Sequence, residues 1–317
     1  MTDSAIDVRD LKKTYRQGWF GRRSIHALRG VTLQVARGEI FGLLGPNGAG
    51  KTTFIKILLG IINRTNGEAS ILGRNAGSRQ SRMHIGYLPE HLRMPPHLNA
   101  FAALDLYGQM SYLPASAIRQ KREQLLSSVG LLERAGDSVK KYSKGMLQRL
   151  GLAQALLHDP DLVFLDEPTD GLDPVGRSHV RNVLAELKRQ GKTVFLNSHI
   201  LQEVELICDR VAVMDQGNIR FLGTVEEITR QPTTEFHFEL RGEEAAMRKA
   251  LRDTATDEFV WSPEMCKVTV RFGSPAELDR TVDALRAAQV SILSMQRRRI
   301  TLEEAFLKIV ENSPQIL

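Results

Sequence analysis

The chain carries 317 residues, 42% of them hydrophobic and 25% charged, the proportions of an ordinary soluble globular protein with room for one well-buried domain and a smaller one. No apolar run approaches the roughly 18 residues that a membrane span needs, and the acidic start Met1-Thr2-Asp3-Ser4-Ala5-Ile6-Asp7 lacks the basic and apolar parts of a secretion signal. A net charge of +6 permits an anionic partner without requiring one, and two distant cysteines, Cys208 and Cys266, read as free thiols rather than a disulfide frame or metal site.

In chain order, the first strong signal is the apolar run Ile40 to Leu44, a buried strand, followed by Gly45-Pro46-Asn47-Gly48-Ala49-Gly50-Lys51-Thr52. These residues fit the phosphate-loop pattern G-x-x-x-x-G-K-[ST] at every position. Thr53-Phe54-Ile55-Lys56-Ile57-Leu58-Leu59 continues as a helix that Gly60 stops, so the motif has the strand–loop–helix setting it requires. Glycines let backbone N–H groups turn inward around phosphate oxygens, and the helix N-terminus adds partial positive charge. In this pattern Lys51 reaches the β- and γ-phosphates of a nucleotide and Thr52 ligates Mg²⁺.

Further on, Ile85-Gly86-Tyr87-Leu88-Pro89-Glu90 reads as a loop. From Glu90 to about Val139 the chain reads as small amphipathic helices, with Leu104, Leu106, Tyr107 and Met110 on one and Ile118, Leu125, Leu126 and Val129 on another. Ser143 is a candidate N-cap for a helix running toward Leu157. The strand Leu162-Val163-Phe164-Leu165 then delivers Asp166 and Glu167 at its end. Buried carboxylates must be paired or hold a metal, and the C-terminal edge of the strands is where open α/β sheets place ligands. The pair therefore points to a cation-assisted reaction. Apolar strands at Thr193–Asn197 and Arg210–Met214 continue an alternation with helices that predicts a largely parallel sheet.

The pattern breaks at the polar linker Arg230-Gln231-Pro232-Thr233-Thr234. Beyond it, strand Glu235–Leu240, helix Glu243–Arg252, strands Glu258–Trp261 and Cys266–Phe272, helix Pro275–Ala288 and strand Val290–Gln296 follow one another. This is the split βαβ order of a ferredoxin-like unit. Thr301–Asn312 adds a final helix, and Arg297-Arg298-Arg299 is the densest basic run, read as a solvated strand end.

Taken in order, the phosphate loop, Tyr142-Ser143-Lys144-Gly145-Met146, Leu162–Glu167, Gly171-Leu172-Asp173 and Asn197-Ser198-His199 resemble the ATPase subunits of ABC transporters over roughly residues 5 to 228. Leu302-Glu303-Glu304-Ala305-Phe306-Leu307 looks like the extension carried by exporter-type members. The resemblance implies an α/β phosphate-loop ATPase domain at 1–228, with a helical subdomain at about 90–158, and a small α+β accessory domain at 229–317.

The resemblance also implies roles at matching positions. Tyr15 stacks on adenine, while Gly45, Pro46, Asn47, Gly48, Ala49, Gly50, Lys51, Thr52 and Thr53 hold the ATP phosphates. Thr52, Asp166 and Glu90 serve Mg²⁺, Glu167 is the general base, and His199 contacts the γ-phosphate. Ser143 and Gly145 cap the ATP of a second ATPase subunit, taken as another copy of this chain, and Asp173 links the two sites. The common signature has Leu, Gly and Gln where this chain has Tyr142, Lys144 and Met146, and Lys144 is expected to place an extra cation near the neighbouring triphosphate. Glu90 stands where most members have Gln. The implied partners are integral membrane permease subunits, docked at the helical subdomain, with no nucleic acid expected. The implied location is the cytoplasmic face of the membrane and the implied task is powering export. Gly18-Trp19-Phe20-Gly21-Arg22-Arg23 reads as a packed hairpin tip, with contact to the partner or the bilayer surface as the alternative.

Overall fold

The apolar runs around the phosphate-loop motif become two sheets in a computed structural model that describes residues 4–17, 23–229, 235–252, 254–298 and 300–311. The tip at 18–22 lies outside the described residues, as does Arg299. Strands β1 (Ser4–Gln17) and β2 (Arg23–Ala36) pair antiparallel, while β3 (Ile40–Leu44) enters a second sheet. After helix α1 (Lys51–Leu58), strands β4 (Asn66–Ile71) and β5 (Arg74–Asn75) return to the first sheet, giving the order β2-β1-β4-β5. The parallel-sheet expectation omits this antiparallel layer, whose strands are half-solvated and alternate rather than running continuously apolar.

The second sheet holds the motifs. A one-turn helix α2 (Arg79–Arg82) leads into β6 (Ile85–Leu88), followed later by β7 (Leu162–Asp166), β8 (Thr193–Asn197), β9 (Arg210–Asp215) and β10 (Asn218–Thr224). Their order is β10-β9-β3-β8-β7-β6, parallel throughout except for β10 against β9. Every residue of β3, β7 and β8 is buried, and their side chains share one core with α1 and with the antiparallel sheet. The segment read as a loop at Ile85–Leu88 is a parallel edge strand in register with Leu162–Leu165. Gly86 allows it: a Cβ there would lie 2.3 Å from the oxygen of Ala155.

One aromatic cluster ties the motif-bearing elements together. The ring of Phe195 on β8 lies 5.6 Å from Phe41 on β3, 6.1 Å from Phe54 on α1 and 5.2 Å from Phe164 on β7. All four side chains are fully buried. Aromatic pairs of this kind each add about 0.5–1.5 kcal/mol beyond area burial. The phosphate loop, the carboxylate strand and the histidine strand therefore share one rigid base.

Between β6 and β7 lie α3 (Ala100–Met110), α4 (Ala115–Ser128) and α5 (Lys144–Leu156), the helical subdomain. Leu104, Ile118, Leu126 and Val129 are buried there, whereas Leu106 and Met110 of the expected apolar faces are exposed. Helices α6 (Pro174–Arg189) and α7 (Leu201–Ile207) follow, and the short α8 (Val225–Thr229) runs across the start of the second unit at Ile228.

The second compact unit is Ile228–Thr301. Its strands β11 (Glu235–Arg241), β12 (Ala255–Trp261), β13 (Cys266–Arg271) and β14 (Ser291–Arg297) stand antiparallel in the order β12-β13-β11-β14, the spatial order of a ferredoxin-like unit. Alternate residues Phe238, Leu240, Cys266, Val268 and Val270 form a core with Met247 of α9 (Glu244–Ala250) and Leu285 of α10 (Pro275–Ala287). Arg298 of the basic run is no free strand end; it pairs with buried Glu235 at 3.1 Å.

The expected domain at 229–317 loses its last helix. Helix α11 (Leu302–Glu311) belongs to the first compact unit, where Leu302 and Ala305 are buried and the Leu302 N–H donates to Glu205 Oε2 at 3.0 Å. Its apolar stripe finds cover beside α7 and β9 rather than in the small sheet.

Candidate active site

The phosphate loop leaves the C-terminal end of β3 and closes onto α1 with its glycines in tight quarters. A Cβ on Gly45 would lie 2.2 Å from the oxygen of Met214, and one on Gly50, at φ +107, would lie 2.5 Å from the oxygen of Ala27. No side chain caps α1, so its first-turn N–H groups are available to an anion. The Lys51 ammonium curls over the loop and donates to the oxygens of Gly45 at 2.6 Å and Pro46 at 3.0 Å. Burial holds its pKa below the ordinary lysine value, against the pull of Glu167, Asp166 and Glu90. Those three carboxylates thus share one field with Lys51.

At the end of β7, Asp166 is 3% exposed and Glu167 8%. Asp166 stands in register with Asn197 of β8, whose Nδ2 donates to Asp166 Oδ1 at 2.5 Å. Glu167 Oε2 accepts from His199 Nδ1 at 2.7 Å and from the His199 backbone N–H at 3.3 Å. An ionised carboxylate only accepts, so Nδ1 carries the proton of this bond. Burial raises the pKa of both carboxyls; the Asn197 hydrogen bond opposes this at Asp166 and the His199 bond opposes it at Glu167.

A magnesium nucleotide fits this chemistry. Burial disfavours the charged form of both carboxyls, a cost that a nearby cation would offset, and the buried Oδ1 of Asn197 has no hydrogen-bond partner among the described residues. Among the described residues no group of three His, Cys, Asp or Glu side chains forms an all-protein cage. A hard cation here would draw on Asp166, the Thr52 hydroxyl and phosphate oxygens, the usual way Mg²⁺ is held. Beside the loop lies a cavity of about 220 Å³ lined by Gly45, Pro46, Asn47, Ser198, His199 and Phe306. A larger one of about 480 Å³, bounded by Leu125, Leu156, Val183 and Leu187, contains none of these polar groups, so volume is a poor guide here.

The remaining expected site residues stand on other elements. Tyr15 is half-buried on β1 with the Lys13 ammonium 4.9 Å from its ring. Glu90 leaves the end of β6 half-exposed, 3.7 Å from His91 Nδ1, and contributes to the field at Asp166 and Lys51. Exposed Ser143 caps α5 by accepting from the Met146 N–H at 3.2 Å, and Gly145 packs against the 171–172 turn, where a Cβ would lie 2.9 Å from Leu172 Cδ2. Asp173 caps α6 through the Gly176 N–H at 2.8 Å. Neither Ser143 nor Gly145 lines the cavity at the phosphate loop of the same chain. Lys144 is engaged within the chain, 2.5 Å from Asp170 Oδ2, which raises its pKa.

Three neighbours of the site carry no role in the sequence reading. Asn197 and Phe306 stand there only inside quoted motifs, though a polar side chain ending an apolar strand is a usable signal. Phe306 and Gln148 lie far along the chain or mid-helix, where nothing local marks them.

A phosphate loop on a central parallel strand, with buried carboxylates ending a nearby strand, defines a phosphate-loop nucleoside triphosphatase. The family model described as "ABC transporter" matches residues 28–170. An uncharacterized ABC transporter ATP-binding protein of Synechocystis is 38% identical over 96% of this chain and 84% of its own length. A daunorubicin resistance ATP-binding protein of Streptomyces coeruleorubidus is 33% identical over 100% of this chain and 99% of its own. The solved structure of a dimeric ATP-binding cassette in a post-hydrolysis state, bound to ADP and Pi, aligns with a TM-score of 0.64 at 25% identity over 69% of this chain and 98% of its own. This chain belongs to the ABC transporter family, as an ATP-binding and ATP-hydrolysing subunit.

Proposed function

We propose that this chain hydrolyses ATP in a pair of copies and thereby drives export through a separate membrane permease. The observation that carries this reading is the buried Glu167 carboxylate, held by His199 at 2.7 Å in the same field as the phosphate-loop lysine. Gly45 to Thr53 cradle the triphosphate with backbone N–H groups, and Lys51 moves from the loop carbonyls to the β- and γ-phosphates. Thr52 and Asp166, with Glu90 as a third carboxylate in the same field, would hold Mg²⁺, which when bound would supply neutralisation of the developing phosphate charge. Glu167 takes the proton of the attacking water, and His199 fixes that carboxylate and faces the γ-phosphate. Tyr15 offers its ring to adenine.

Ser143 and Gly145 begin a helix and lie away from their own loop's cavity, which supports their serving the nucleotide of the second copy. Asp173, capping α6, joins the two sites. The dimeric cassette with which this chain aligns supports the same arrangement. Among the described residues no helix is long and apolar enough to cross a membrane; in this reading the transport path lies in a separate permease, with this subunit held against it at the cytoplasmic face. The resistance function named for the Streptomyces relative favours export. Inside-out vesicles containing the permease that co-purifies with this chain test the reading: external Mg-ATP drives cargo inward across the vesicle wall for an exporter, and outward loading by wild type but not by Lys51→Ala would reverse the direction.

A further inference from the structure

The Glu167 main chain is held in a conformation that its residue type disfavours. Its φ is +54, in the left-handed region that non-glycine residues seldom occupy. Three hydrogen bonds fix it there: the Glu167 N–H donates to the Asn197 oxygen at 2.8 Å, and the Glu167 oxygen accepts from the Asp170 N–H at 3.3 Å and from Gln148 Nε2 at 3.0 Å. The first tie comes from β8 and the second from the residue's own turn. The third comes from α5, across the helical subdomain.

Gln148 is 4% exposed. Burying an amide costs free energy unless its donors are used, and an unbranched apolar side chain of equal length would fill the same space. Packing alone does not call for an amide at this point. We propose that Gln148 is a positioning residue for hydrolysis. Its amide holds the Glu167 peptide so that the carboxylate meets His199 and the water to be deprotonated. The inference rests on the reading of Glu167 as the base. It has one consequence for the pair of copies: α5 begins with Ser143 and Gly145, so the helix that caps the neighbour's nucleotide also supports the base of its own site. A shift of α5 on closure reaches Glu167 through a single amide.

The test measures steady-state Mg-ATP hydrolysis, ATP affinity and thermal melting for wild type, Gln148→Met, Glu167→Gln and the double variant. Gln148→Met is expected to lower kcat roughly 10- to 100-fold with KM for ATP changed less than about 2-fold, the split of a group acting in the transition state. In the Glu167→Gln background the same substitution is expected to change residual turnover by less than about 2-fold, because it acts through the missing base. Wild-type kcat in folded Gln148→Met overturns the inference, as does an equal loss in both backgrounds. Should Gln148→Met fail to melt cooperatively, Gln148→Glu, which keeps length and polarity but sets a carboxylate against the Glu167 oxygen, is read by the same two comparisons. Full turnover by Glu167→Gln alone would instead remove the base assignment on which the inference stands.

Discussion

His199 Nδ1 lies 2.7 Å from Glu167 Oε2, and the His199 backbone N–H reaches the same oxygen at 3.3 Å. One residue therefore grips the carboxylate twice, from the end of the strand that neighbours β7. Removing the ring leaves the weaker backbone contact. His199→Ala is expected to lower kcat for ATP roughly 10- to 100-fold with little change in nucleotide affinity, as for loss of a transition-state contact. Fluorescent-nucleotide binding beside a phosphate-release assay separates the two; a fall in affinity alone would assign His199 to binding.

The desolvation of Glu167 carries a stability cost with a definite sign. Its folded pKa lies above the ordinary glutamate value because burial disfavours the charge, with the His199 bond only partly compensating. The native state thus binds more protons than the unfolded state between the two values, and stability falls as pH rises through that window. Above it the cost is constant. Glu167→Gln is expected to melt higher than wild type at neutral pH without nucleotide or Mg²⁺, and the gain should vanish on acidification below the ordinary carboxylate range. Melting curves of both proteins across pH check this; a gain that persists in acid would point to packing instead.

The aromatic cluster under the site predicts a structural rather than kinetic lesion. Phe195 touches Phe41, Phe54 and Phe164 and has no solvent exposure. Phe195→Ala should destabilise the fold by about 3–5 kcal/mol, the range for emptying a buried aromatic site. Denaturant unfolding measures it, and a loss below about 1 kcal/mol would mean that the cluster collapses to fill the space.

Lys51 is the fourth residue with a separable effect. Its ammonium contacts only loop carbonyls in the described structure, so Lys51→Ala removes two hydrogen bonds that the loop backbone can replace with water. Turnover and ATP affinity should both drop below detection while the melting temperature stays within a few degrees of wild type. Calorimetry with Mg-ATP and a melt decide it; retained affinity would shift phosphate binding onto the backbone alone.

Much of this site is legible in the sequence because its elements are buried on both faces. Ile40–Leu44, Leu162–Leu165 and Val194–Leu196 are apolar runs, and the residues that follow them must emerge at one sheet edge. What stayed hidden has long-range causes. Ile85–Leu88 is a four-residue edge strand containing glycine, too short for periodicity, and it forms only because β7 is there to pair with it. The amphipathic stripe of α11 is readable, but nothing local says that it leaves the small sheet for α7. Lys144 reads as a free cation until Asp170 is brought within 2.5 Å, and Gln148 gains meaning only from the peptide it faces across the subdomain.

If the working unit is a pair of copies, ATP closes it and hydrolysis through Glu167 reopens it. Sedimentation velocity of Glu167→Gln, with and without Mg-ATP, alone and with the proposed permease, follows that closure. The expected result is a nucleotide-dependent shift from monomer to a stable dimer, lost in Glu167→Gln combined with Ser143→Arg. A Glu167→Gln chain that binds ATP yet stays monomeric under both conditions would contradict it.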